Sequence, residues 1–299
     1  MSEYNDYPCD LCGSTDAKTI RVVEKYTGGQ PIHVCRQCGF VYVRSRRSAK
    51  KIADAWSDSL FEEEGKFEKG AYSARIPAIK ARQIFVADTI DTQLQLRGKT
   101  VCDIGAGEGQ FLEIISSKEY GANPFGIEPS PLLCKKMASN GYQNFAGTIE
   151  DYVETGEIEK RKFDIATIMW TLECSSDCHL MLKAAYDALK PGGYVVVATG
   201  SRILVPFKKP LQFYLDDRPL DTHNLRFSAN TLQGILARNG FETTYVNRYI
   251  DQEWLCVIAQ KVESGKKIEW RGDDYREVID FFERWDRESE TYYKEYSLG

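Results

Sequence analysis

The stretch VCDIGAGEGQF, residues 101–111, constrains the fold more than any other part of this chain: an apolar run breaks at Asp103 into three alternating glycines and resumes as an amphipathic stretch. Strand, tight turn and helix in that order open a crossover unit, and crossover units build parallel sheets. Downstream, ANPFGIEPS, FDIATIMW, GGYVVVATG and FETTYVNRYIDQEWLCVIAQK repeat the alternation of apolar runs with amphipathic stretches. The expected fold is therefore α/β with a mostly parallel sheet, and its last two runs are placed to pair antiparallel at the edge.

The turn itself selects a ligand. Gly105, Gly107 and Gly109 follow a Gly-x-Gly-x-Gly spacing, which is not the dinucleotide fingerprint Gly-x-Gly-x-x-Gly. Asp103 stands just before them, where a dinucleotide would put its pyrophosphate, and a carboxylate there repels phosphate. It attracts an ammonium group, such as that on the amino-acid half of S-adenosylmethionine (SAM). Gly105 and Gly107 would let the backbone approach that moiety without a Cβ in the way. Glu128, about twenty residues on, ends the next apolar run in GIEPS and can accept both ribose hydroxyls, with Pro129 against the adenine ring. FAGTIEDY puts Thr148 and Ile149 at the adenine edge, and FDIATIMWTLEC brings Trp170 and Thr171 to the mouth. A purely structural domain, or a dinucleotide enzyme with a degenerate fingerprint, stays open at this point.

Taken together, VCDIGAGEGQF, GIEPS, GTIED, FDIATIMWTLE and LKPGGYVVV resemble the class I SAM-dependent methyltransferases over roughly residues 80–262. The resemblance implies a Rossmann-like fold, SAM as cofactor, and transfer of a methyl group.

Cys9, Cys12, Cys35 and Cys38 form two Cys-x-x-Cys pairs, in CDLCGS and CRQCGF, each followed by glycine. Two residues between thiolates suit a turn that offers both sulfurs to one tetrahedral ion, so a structural zinc is expected, against disulfides or a redox role. Four thiolates leave no open position on the metal, and a module this small does not fold on apolar burial alone. His33 is read as a strand or surface residue rather than a ligand. The longer CRQCGFVYVRSRRSAKKIADAWS resembles the ribbon-plus-helix entry of the deoxysugar C-methyltransferases and related polysaccharide and natural-product enzymes. That resemblance implies a carbohydrate-pathway acceptor.

The chain divides into a zinc ribbon at 1–46, a helical connecting or lid segment at 47–95, a SAM-binding domain at 96–262 and a C-terminal helical extension at 263–299. In the last, Val278, Phe281, Phe282, Trp285 and Tyr292 fall near helical spacing and predict a helix packed on the body, against a partner-binding one. The net charge of −5 over 299 residues offers no overall basic field, which argues against nucleic acid as partner. Nothing resembles a signal peptide or a membrane span, so a cytoplasmic address without membrane contact is expected; the oligomeric state is not encoded.

A methyl transferase must align its acceptor and remove a proton from it. His223 lies in the long insertion after the fifth strand, over the carboxyl ends of the sheet. In the sugar C-methyltransferases a histidine followed by an aromatic residue and Ser is the proposed base, and His223 with Phe227 and Ser228 matches. The family's Tyr and acid before the histidine are Leu220 and Thr222 here, so transfer to oxygen or nitrogen stands beside transfer to carbon, and His223 is read as base, substrate contact or brace. Tyr214, Asp216, Asp217 and Glu173 are further mouth candidates; Tyr72 and Arg75, in the entry segment, are candidates to close over the cofactor, beside a core or surface role. Arg202, Lys208, Lys209, Arg218 and Arg226 are candidates for the phosphates of a nucleotide sugar. The reading is a SAM-dependent methyltransferase of a small sugar or nucleotide-sugar acceptor. An RNA or protein methyltransferase gripping its polymer through Arg44, Arg46, Arg47, Lys50 and Lys51, and a non-catalytic SAM-binding protein, are the alternatives.

Overall fold

A computed structural model describes residues 4–54, 76–206, 209–215 and 223–296, with the side chains of Ile76 and 292–296 left out. Tyr72, Arg75, Lys208, Asp216, Asp217, Arg218, Leu220, Thr222 and the side chain of Tyr292 thus lie outside the described residues.

The N-terminal part holds β1 (Tyr4–Asp6), β2 (Ala17–Thr19), β3 (His33–Cys35), β4 (Val41–Tyr42) and β5 (Ser45–Arg47). Strands β2, β3 and β4 pair antiparallel in sequence order, and β1 pairs with β5. The apolar run KTIRVV is a strand only at its start. Its partner β3 begins at His33, opposite Thr19, so the chain beyond has no ladder to join and winds into a 3-10 turn, Arg21–Tyr26, that buries Val23.

Residues 49–54 are helical, and α1 (Ile76–Leu94) leads into the main sheet. There follow β6 (Thr100–Ile104), α2 (Gln110–Ser116), β7 (Asn123–Glu128), α3 (Pro131–Ser139), β8 (Asn144–Ala146), α4 (Ile149–Glu154) and α5 (Glu157–Lys160). Then come β9 (Phe163–Met169), α6 (Cys178–Ala188), β10 (Leu189–Thr199), α7 (Leu211–Tyr214), β11 (Leu225–Arg226) and α8 (Ala229–Arg238). Strands β12 (Phe241–Val246) and β13 (Leu255–Lys261) and the long α9 (Tyr275–Tyr296) complete the described chain.

The seven-stranded sheet has the order β12-β13-β10-β9-β6-β7-β8. Strands β6 to β10 are parallel, and β13 runs antiparallel between β10 and β12, as the last two apolar runs suggested. The burial explains the choice: Val195–Ala198 and Leu255–Ala259 are covered on both faces, whereas alternate residues of β12 are open, which suits an edge. Strand order reverses between β6 and β9, and such a switch point leaves a crevice at the carboxyl ends of the strands.

The ribbon is not a bead on a tether. Strand β11, from the insertion after β10, pairs with β4 as Leu225↔Tyr42 and Arg226↔Val41, completing a four-stranded sheet. Arg46 has a fully buried side chain that grips both carboxylate oxygens of Asp10, at 2.9 and 2.6 Å, and donates to the carbonyl of Ser176 at 2.9 Å. His179, on α6, donates from Nε2 to the Asp10 carbonyl at 2.7 Å. Helix α9 buries Val278, Phe281, Phe282 and Trp285 against Ile20, Val23 and Val34 of the ribbon and Ile203 and Leu211 of the insertion. The terminal helix therefore packs on the body.

Asp10→Ala would leave the Arg46 guanidinium buried and unpaired. Denaturant unfolding should report a loss of about 3–5 kcal/mol, far above that of an exposed pair such as Lys183–Asp187.

Candidate functional site

The crevice is a cavity of about 580 Å³, bordered by Asp103, Gly105, Gly107, Glu128, Pro129, Thr148, Ile149, Trp170 and His223. Thus the sequence-derived cofactor residues and His223 meet in one place, Gly109 excepted. Gly109 is the left-handed N-cap of α2, at φ 82°, and a Cβ on it would sit 2.7 Å from Met137 Cγ. It serves the packing of α2 on α3. Gly105, at φ 77°, would put a Cβ 2.5 Å from Thr171 Oγ1, so its conformation and that neighbour demand glycine. Only at Gly107 would a Cβ enter open space.

Asp103 is 2% exposed and accepts a 2.6 Å hydrogen bond from Thr167 Oγ1. Among the described residues it has no cationic partner. Burial pushes its carboxyl up to about 7; the Thr167 bond works the other way and the charge of Glu128 adds to the rise. A buried acid short of a counter-charge fits the ammonium of SAM. Glu128 accepts from Gly107 N through Oε2 and from Ser130 N through Oε1, each at 2.9 Å. These bonds fix the carboxylate edge-on beside the turn and leave lone pairs for a diol. Burial raises its pKa as well. Thr148 spends its hydroxyl on a capping box with Asp151 at the start of α4, so its own contribution to the cavity is its position and backbone.

Trp170 is held at φ 54°, its amide donating to the Ala198 carbonyl at 2.7 Å. The Arg82 guanidinium lies 4.0 Å over its ring, and its buried indole Nε1 has no hydrogen-bond partner. His223 is set by its neighbours: its carbonyl accepts from Arg226 Nη1 at 2.9 Å, and Asn224 Nδ2 donates to the carbonyls of Cys174 and Ser175 at 3.3 and 3.2 Å. Glu173 and Tyr214 line the same cavity.

Two proposed phosphate contacts are spent elsewhere. Arg202 is buried, donates to the Trp254 carbonyl at 3.1 Å and stacks over Tyr249; Arg226 is buried behind His223. Neither borders the cavity, but Lys209 does. Sequence reasoning missed Thr167, although a lone polar residue in the buried run FDIATIM was a signal. It also missed Arg82 and Gln83 of α1, which border the cavity from a helix whose charges give no hint of direction.

The four ribbon cysteines bring their sulfurs within 4.8 Å of one another, with Cys9–Cys38 at 3.5 Å and Cys12–Cys35 at 3.4 Å. A tetrahedral ion with metal–sulfur bonds of about 2.3 Å needs sulfur–sulfur edges of about 3.8 Å, so the set fits a zinc-sized ion. Gly13 and Gly39, at φ 77° and 69°, turn the chain out of each pair. The five other cysteines are buried and scattered through the core.

Residues 79–246, over half of the chain, match the family model of a methyltransferase domain. The chain belongs to this methyltransferase family. A stretch of 149 residues is 30% identical to the ubiquinone biosynthesis O-methyltransferase of Coxiella burnetii, covering 47% of this chain and 62% of that one. Another, of 192 residues, is 26% identical to the tRNA U34 carboxymethyltransferase of Desulfotalea psychrophila, covering 62% and 56%. More than a third of each relative is therefore unmatched. The magnesium protoporphyrin IX methyltransferase of Synechocystis PCC 6803, solved with bound S-adenosylhomocysteine (SAH), shares the methyltransferase fold at a TM-score of 0.50 and 11% identity, covering 71% of this chain and 99% of that one. Among the described residues no helix is long and apolar enough to cross a membrane.

Cobalt titration of the metal-free methyltransferase should give thiolate-to-metal absorption saturating at one equivalent. Cys35→Ser should weaken it, whereas an unchanged spectrum would place the ion elsewhere.

Proposed function

We propose that this protein is a SAM-dependent methyltransferase of a small acceptor, with a sugar, nucleotide sugar or glycan-pathway intermediate as the favoured class. The observation that carries the reading is Asp103: a buried acid with no counter-ion among the described residues, bordering a cavity that His223 also borders. Asp103 would hold the ammonium of SAM, Glu128 the ribose hydroxyls, and Pro129, Thr148 and Ile149 the adenine. Bound SAM supplies an electrophilic methyl group on a sulfonium. The chain's own part is to orient the acceptor, keep water out and accept a proton, for which His223 is the proposed base. A structural zinc at Cys9, Cys12, Cys35 and Cys38 would hold the wall behind His223 in place through β4 and β11. Polar side chains at the cavity, among them Arg82, Lys209 and Ser201, offer hydrogen-bond partners to a hydroxylated acceptor.

The tRNA-modifying relative makes RNA the rival acceptor. Against it, Arg46 is buried on Asp10, Lys50 pairs with Asp54 at 3.0 Å, and Arg44 donates to the Thr15 carbonyl at 2.8 Å. Three of the five basic residues suited to a polymer are thus engaged within the protein.

SAH should raise the melting temperature of the wild type, and Asp103→Ala or Glu128→Ala should abolish that rise; an unaltered response in both variants would remove the cofactor assignment. His223→Ala should slow turnover while SAH affinity holds. The pH dependence has a definite sign. The folded Asp103 keeps its proton up to about 7, whereas the unfolded one loses it near 3.8, so this group costs the ligand-free protein stability as pH rises through that window. Only the ionised form pairs with an ammonium. SAM affinity measured by calorimetry should therefore fall by up to about tenfold per unit below pH 7, and Asp103→Asn should flatten the profile.

A further inference from the structure

A third buried acid in the cavity has no work in the apparatus described so far. Glu173 sits in the 3-10 turn Leu172–Cys174 that follows β9, is 1% exposed and borders the cavity. Its Oε1 accepts from Thr199 Oγ1 at 2.7 Å, whereas its Oε2 is buried with no hydrogen-bond partner among the described residues. Leaving a carboxylate oxygen unsatisfied in the interior is costly, so such an atom calls for a ligand that brings a donor. Helix packing does not require it: a Gln or Met would fill the same place without the charge.

We propose that Glu173 Oε2 receives the hydrogen of the methyl-accepting group, so that the accepting atom is a hydroxyl oxygen or an amine nitrogen and not carbon. This rests on the methyl-transfer reading and narrows it. A C–H bond is too weak a donor to satisfy a buried carboxylate, whereas O–H and N–H do so directly. In the step, a lone pair of the acceptor oxygen or nitrogen forms the bond to the methyl carbon, and the carbon–sulfur bond of SAM breaks with its electron pair left on sulfur. The proton passes to Oε2. One sulfonium charge and one carboxylate charge are cancelled, giving a methyl ether or amine, SAH and a neutral Glu173.

Its surroundings support this role. Burial raises the pKa of Glu173, which makes it a stronger base than a surface carboxylate. The charged group that bears on it is His223, which favours the ionised form, and Thr199 and the backbone amides of Glu173 and Gly200 act in the same direction. The proton-accepting role thereby passes from His223 to Glu173, and His223 is the positively charged neighbour that favours the ionised carboxylate. The two residues come from different elements, the turn after β9 and the insertion after β10, so neither is a sequence neighbour of the other.

The test uses the whole protein, methyl-labelled SAM and a desalted small-molecule extract of the cells that make it. SAH binding by the wild type is measured first; its absence would sink the methyl-transfer reading itself. With binding established, Glu173→Gln should keep SAH affinity within about twofold yet slow label transfer by about a hundredfold or more, and the labelled methyl should be found by NMR on oxygen or nitrogen. Transfer at the wild-type rate in Glu173→Gln, or a methyl on carbon, overturns the assignment of Glu173 alone. Stability gives a second readout that needs no acceptor. A buried acid with a raised pKa loses stability for the protein as pH rises, so the melting temperature of Glu173→Gln, and of Glu173→Met, should gain on the wild type as pH rises above the ordinary carboxylate range. A gap that stays constant or moves against the variants would show Glu173 to be a structural residue and overturn the proposal.

Discussion

The ion pair between Arg46 and Asp10 holds the molecule's two halves in register. Asp10 lies between two of the ribbon cysteines, and Arg46 reaches from the ribbon's last strand to the carbonyl of Ser176 in the cavity wall. A guanidinium wholly removed from water tolerates no loosening, because every donor must keep its acceptor. The pair therefore passes the geometry of the cysteine cluster directly to residues 174–176, on which Asn224 and with it His223 also depend. What looks like an accessory module braces the segment that borders the cavity.

The cavity's electrostatics follow from three buried acids. Asp103 and Glu128 come from β6 and β7, and Glu173 from the turn after β9, and all three border the cavity. All three have raised pKa values because burial disfavours their charged forms. Such an interior gains from a ligand that brings positive charge or hydrogen-bond donors. One physical bias thus suits both proposed ligands: a cationic methyl donor and a protic acceptor.

The parts of this arrangement that local chemistry decides were legible in the sequence. A glycine turn behind a strand, an acid before it and an acid at the next strand end are all short-range features, and the structure gathers Asp103, Gly107, Glu128, Pro129 and Trp170 around one cavity. Spacing could not tell why each glycine is there: Gly105 answers to Thr171 and Gly109 to Met137, residues far along the chain. Charge was misleading where burial decides. Arg46 read as one of the residues that would grip a polymer, and Arg202 and Arg226 as phosphate contacts, yet each is consumed by a carbonyl or carboxylate. A two-residue strand such as β11 has no periodicity to detect, and its pairing with β4 depends only on where the insertion lands.

That pairing has a kinetic side. Tyr42 waits for Leu225, so the outer edge of the N-terminal sheet stays open while the intervening chain is synthesised, a delay on the order of ten seconds at typical ribosomal rates. During that interval the nascent ribbon offers unpaired backbone donors and acceptors to any passing strand, the circumstance in which chaperones intercept newly made chains. Shortening the delay, by a circular permutation that brings the two strands together early in translation, is a route to higher yields of folded protein.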